Sequence, residues 1–92
     1  MKQFVVVAYD VADDRRRQKI AKVLVGYGIR CNESVFECLL TEPKIRNMQQ
    51  QLLKLADESE DIILYYFLCK PCVMKRESVG RRTGFEPEII MV

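Results

Sequence analysis

Phe4 to Tyr9 reads FVVVAY, a continuous apolar and largely β-branched run that ends abruptly at Asp10. A run of this kind fits a strand buried on both faces at the centre of a sheet. The rest of the chain must therefore supply neighbouring strands and a covering layer. Only 92 residues are available for this, enough for one domain with a limited core. A core of that size makes oligomerisation a natural source of further stability.

The covering layer is legible as two helical stripes. Asp13 or Asp14 can cap the first helix. Ile20, Val23, Leu24 and Tyr27 then recur at the i, i+3, i+4, i+7 spacing of a buried face. Gly28 stands where a left-handed helix-ending residue is wanted. Arg15, Arg16, Lys19 and Lys22 fall mainly off the stripe and should face water. The segment IRCNESVFECLL is strand-like on both sides of Asn32-Glu33, with a tight turn or a bulge at the break. A second helix is predicted after Thr41, with Pro43 early in it and Ile45, Met48, Leu52 and Leu55 as its apolar stripe. IILYYFLC, from Ile62 to Cys69, is another aromatic and β-branched strand. The last third, with Pro71, Gly80, Gly84 and Pro87, reads as a loop with at most a short turn or helix before a closing strand, EIIMV.

Strand, helix, strand, strand, helix, strand is the order of the α+β, ferredoxin-like βαββαβ fold, with both helices on one face of an antiparallel sheet. One domain is expected over 1–92, with a core of about 1–70 and an extension of about 71–92 that carries the extra C-terminal strand and contributes to the dimer. Tyr65 and Phe67 share one face of their strand while Tyr66 and Leu68 share the other, so neither side is polar. A sheet apolar on both faces, with helices on one, implies a sheet-to-sheet homodimer.

Net charge is only +2, but its distribution is uneven. Arg15 to Arg30 holds six Lys or Arg residues and no acid, whereas Asp57, Glu58, Glu60 and Asp61 gather in one turn. A surface polarised in this way suits a polyanionic partner. No segment approaches the ~18 apolar residues needed to span a membrane, and the N-terminal apolar run is too short for a signal peptide, so a cytoplasmic protein with free thiols is expected.

Chemistry concentrates around Asp10. An aspartate after a buried strand can simply accept backbone amides in the turn. Yet Asp13 and Asp14 are available for capping, and a twofold dimer could bring two Asp10 carboxylates together. Such a pair repels unless protonated or bridged by a hard divalent ion such as Mg2+ or Mn2+. The chain has no histidine, which leaves few other general bases. Arg17, on the edge of the buried stripe, is placed to point back toward Asp10. Arg15, Arg16, Lys19 and Lys22 are candidate phosphate contacts, or else a solvated helix face. CKPC, Cys69 to Cys72, is a lone C-x-x-C: a zinc site would have to recruit Cys31 and Cys38, and free thiols are the simpler reading.

Tyr-Asp closing the first strand, then DDRRRQKIAKVLVGYG and SVFEC, resembles the small CRISPR-associated endonuclease subunit, CRISPR-associated protein 2, the second core protein of spacer acquisition. The likeness runs from Phe4 to EIIMV, and it includes the C-x-x-C. It implies a ferredoxin-like homodimer in which Asp10 and its dimer mate bind a divalent metal. It implies a nuclease acting on single-stranded RNA or double-stranded DNA. It also implies a scaffold that holds prespacer DNA for the CRISPR integrase subunit, which leaves a non-catalytic DNA-binding role as the alternative. Tyr9, Arg17, Arg30, Ser34 and Phe36 match positions associated with nuclease function in that family. Lys19 stands where some members have arginine and keeps the charge without the bidentate fork.

Overall fold

The computed structural model describes residues 1–81. Within them the elements are β1 (Lys2–Asp10), α1 (Asp14–Val25), β2 (Gly28–Asn32), β3 (Val35–Thr41), α2 (Glu42–Leu55), β4 (Ile62–Leu68) and α3 (Lys70–Met74). The strands form one sheet in the order β2-β3-β1-β4, with every pairing antiparallel. This is the ferredoxin-like arrangement expected from the element order. β1 lies between β3 and β4, which explains its apolar run. The strand expected over 88–92 lies outside the described residues. Among the described residues no helix is long and apolar enough to cross a membrane.

Alternation along the strands sorts side chains into two faces. Val5, Val7 and Tyr9 of β1 join Phe36, Cys38 and Leu40 of β3 on the helix-covered face, where Ile20 and Leu24 of α1 and Ile45, Met48 and Leu52 of α2 complete the core. The apolar stripes of both helices therefore pack where the spacing put them, except that α1 ends at Val25 and Tyr27 packs from the turn beyond it. The opposite face is covered at one end only, by α3: Val73 packs on Phe4, with Val6, Leu39 and Leu68 around them. Arg76, just beyond α3, pairs with Glu37 at 2.5 Å and lies 5.0 Å over the Phe4 ring, so the buried Glu37 carboxylate has a cation against it.

Helix ends follow local chemistry. Asp13 caps α1, its carboxylate accepting from the Arg16 amide at 2.9 Å. Gly28 corrects the expectation of a left-handed helix end. α1 stops at Val25, Gly26 is its right-handed C-cap, and Gly28 already belongs to β2. The reason for glycine there is closeness: a Cβ would collide with the Glu37 carbonyl and the Cys38 sulfur. At Asn32-Glu33 the alternatives of turn and bulge are both realised. The pairing of β2 with β3 shifts register between Arg30 and Asn32, and the Asn32 side chain accepts from the Ser34 amide at 2.9 Å.

Candidate active site at the end of the central strand

Asp10 is the last residue of β1 and is exposed. Its cross-strand neighbour on β4 is Ile62, and Ala8 and Val6 lie opposite Leu64 and Tyr66. All six belong to the face that α1 and α2 leave uncovered. Because Asp13 performs the capping, the Asp10 carboxylate is not used by the turn. Among the described residues no hydrogen bond or ion pair engages it. The reading of Asp10 as a turn acceptor is thereby set aside.

The other expected site residues assemble on the helix side of the same strand end. The Tyr9 hydroxyl donates to the Glu33 carbonyl at 2.7 Å, and the Tyr9 amide donates to the Ser34 carbonyl at 3.0 Å. These bonds pin the β2–β3 turn against β1. Arg30 donates from Nε to the Asn32 carbonyl at 3.2 Å and from Nη2 to the Glu33 carbonyl at 2.8 Å. Its guanidinium carbon lies 5.6 Å over the Phe36 ring, and Tyr9 stacks on that ring at 6.3 Å. Phe36 itself is fully buried. It therefore positions Tyr9 and Arg30 and has no surface of its own to offer a substrate. Burial raises the Tyr9 phenol above its ordinary value, against the opposing charges of Arg30 and Arg17.

Arg17 reaches back as expected, though to the backbone rather than to Asp10. Its Nη1 donates to the Val11 carbonyl at 3.1 Å and to the Ala12 carbonyl at 3.4 Å, while Nη2 pairs with Asp14. Arg17 thus braces the two residues that leave Asp10. Arg15, Lys19 and Lys22 are exposed on α1, as their spacing implied.

Arg16 departs from the expectation of a water-facing or phosphate-facing cation. Its Nε donates to Asp61 Oδ2 at 2.8 Å and its Nη2 to Asp61 Oδ1 at 3.1 Å, with Glu60 Oε2 also at 3.1 Å. Asp61 also accepts from the Asp57 amide at 2.9 Å, so its carboxylate serves the acidic turn and α1 together. The Arg16 fork holds Asp61 below the usual carboxylate range. The antiparallel pairing of β1 with β4 explains the meeting, since it sets the end of β1 beside the start of β4.

No group of three His, Cys, Asp or Glu side chains among the described residues could hold a metal ion. Cys31 and Cys38 do not join Cys69 and Cys72, and all four thiols are free. A hard cation at Asp10 would accordingly need oxygen ligands beyond the described carboxylates, such as those of a second copy, a phosphate or water.

The sequence model of the family described as CRISPR associated protein Cas2 matches residues 1–76. A protein named CRISPR-associated endoribonuclease Cas2 1, from Chloroflexus aurantiacus, is 46% identical over 78 residues, covering 84% of each chain. The crystal structure of Streptococcus pyogenes Cas2 at pH 6.5 superposes with a TM-score of 0.76 at 34% identity, over 84% of this chain and 99% of that one. A chain of a partial Cas6-RT-Cas1--Cas2 complex shares the fold, with a TM-score of 0.72 at 24% identity, over 84% of this chain and 90% of that one.

Proposed function

This chain belongs to the CRISPR associated protein Cas2 family, and from that membership we propose that it is a metal-dependent endonuclease of CRISPR adaptation, acting as a homodimer on single-stranded RNA. The observation that carries the proposal is the free Asp10 carboxylate at the exposed end of the central strand, beside an apolar face that α1 and α2 do not cover. The name of the Chloroflexus aurantiacus relative supports RNA as the substrate. Double-stranded DNA offers the same phosphodiester to the same groups.

Ile62, Leu64 and Tyr66 are 54%, 46% and 52% exposed on the face that carries Asp10. A second copy covering that face about a twofold axis near the start of β4 would bring the two Asp10 residues toward each other. Mg2+ or Mn2+ held by this pair would supply Lewis acidity and a lowered pKa for bound water. The chain's own contribution is placement. Arg17 fixes the backbone that leaves Asp10, and Tyr9 fixes the turn that presents Ser34. Arg30 spends two hydrogen bonds on that turn and retains further donors for a phosphate oxygen.

Asp10→Asn is the direct test. Among the described residues the Asp10 carboxylate makes no hydrogen bond or ion pair, so the variant should melt like the parent. With Mg2+ and single-stranded RNA its cleavage rate should fall by at least about 100-fold, since even outer-shell partners of a metal cost up to that much. Undiminished cleavage by a homogeneous preparation would remove Asp10 from the reaction.

A second reading rests on α1, where Arg15, Lys19 and Lys22 stay exposed, and on the chain found in the Cas1-containing assembly. On this reading the dimer is a scaffold that grips prespacer DNA by its phosphates beside the CRISPR integrase. The same Asp10→Asn variant separates the two roles: it should bind duplex DNA as tightly as the parent while losing cleavage.

A further inference from the structure

Cys69 and Cys72 take no part in the Asp10 site. That site lies where β4 begins, opposite Ile62, whereas Cys69 follows Leu68 at the strand's other end. Cys69 is the N-cap residue of α3, and Cys72 stands in its first turn. Both are exposed and free, and their sulfurs lie 3.3 Å apart. A disulfide requires about 2.05 Å, so closure asks only for a small rotation of two surface side chains. Pro71, between them at the start of the helix, fixes the backbone there without forfeiting an amide that the helix would use.

The short helix beneath the pair is docked on the sheet. Val73 is buried against Phe4, and Arg76 ties the following residue run to Glu37 and to the Phe4 ring. The backbone that carries the two sulfurs is thus docked on the sheet through Val73 and Arg76. Cys38 offers a contrast, being fully buried on the helix-covered face.

We infer that Cys69 and Cys72 form a redox modification site whose reactant is a low-molecular-weight disulfide, such as glutathione disulfide. The Cys69 thiolate attacks one sulfur of that disulfide, forming a mixed disulfide and expelling one thiolate, which takes up a proton. Cys72, on losing its proton, attacks the Cys69 sulfur, forms the intramolecular bond and expels the second thiolate. The protein loses two electrons and two protons, and the reagent gains both as two thiols. The neighbouring Cys72 thiol draws Cys69 below the usual thiol range across the 3.3 Å contact, which favours Cys69 as the first to attack. The product fastens the end of β4 to the first turn of α3.

The reduced full-length chain, equilibrated in buffers of rising glutathione disulfide, quenched with acid, alkylated and mapped by mass spectrometry, tests this. Cys69 and Cys72 should appear as one intramolecular disulfide while Cys31 and Cys38 are alkylated. In Cys72→Ser the reaction should stop at a glutathione adduct on Cys69. In Cys69→Ser it should likewise stop at an adduct, on Cys72, without closing. The proposal is overturned if the parent accumulates the adduct without closing, if the bond links two chains, or if both thiols stay alkylatable under conditions that oxidise a reference C-x-x-C peptide. Should Cys69→Ser fail to fold, the parent and Cys72→Ser decide the matter alone.

Discussion

Two aspartates three residues apart divide the work at the end of β1. Asp13 satisfies an otherwise unpartnered helix amide, and Asp10 is thereby released from the turn. The groups around Asp10 differ equally sharply in what they contribute. Phe36 is wholly buried beneath Tyr9 and Arg30, so its ring carries packing rather than chemistry. Phe36→Ala should cost about 3–5 kcal/mol of stability, the usual range for truncating a core aromatic. Tyr9→Phe keeps the ring and loses only the bond to the Glu33 carbonyl, about 1 kcal/mol. Urea unfolding at unchanged m-value measures both. A Phe36→Ala loss below that of Tyr9→Phe would show that the ring does not bear the core. At this scale the sequence was readable where one residue and its near neighbours decide, as with Asp13. Gly28 was misread because its reason lies across the sheet, in the Glu37 carbonyl and the Cys38 sulfur, while its chain position mimics a helix end.

Among the elements, α1 is anchored twice: by its apolar stripe to the sheet, and by Arg16 to the turn before β4. The stripe was visible in the spacing. The anchor was not, since Arg16 and Asp61 are 45 residues apart, and an arginine beside two others looks like a solvated or phosphate-facing charge. The signal that could have found it is topological. An antiparallel β1–β4 pair sets the acidic turn beside the start of α1, and one basic residue there should be claimed by it. The anchor also has a pH signature. Asp61 is held below its unfolded value near 3.8, so the stabilisation is fully present above that value and is lost as pH falls through the folded one. Arg16→Met should therefore lower the melting temperature at neutral pH and flatten its fall on acidification. The two curves should converge once Asp61 is protonated in both proteins. A constant gap between them from neutral to acid pH would mean that the anchor owes nothing to charge.

For the whole molecule the open question is the face that α1 and α2 do not cover. α3 closes one end of it through Val73 and Phe4, a covering that the sequence suggested only as a short turn or helix after β4. The other end presents Ile62, Leu64 and Tyr66 in a row leading to Asp10. An apolar surface of this sort on a small domain is commonly an interaction site. Twofold symmetry would double every contact made there, and equally every fault. Leu64→Asp accordingly places two carboxylates in the proposed interface, each desolvated without a partner. It should raise the dimer dissociation constant by about 100-fold or more, equivalent to at least about 2.7 kcal/mol. Sedimentation equilibrium reads that shift, and circular dichroism should show the secondary structure unchanged, because Leu64 lies outside the helix-covered core. RNA cleavage should fall with dimer content although Asp10 is intact, and recover as protein concentration is raised. A Leu64→Asp protein that remains dimeric would move the interface elsewhere. A stable monomer that still cleaves at the parental rate would show that a single Asp10 suffices.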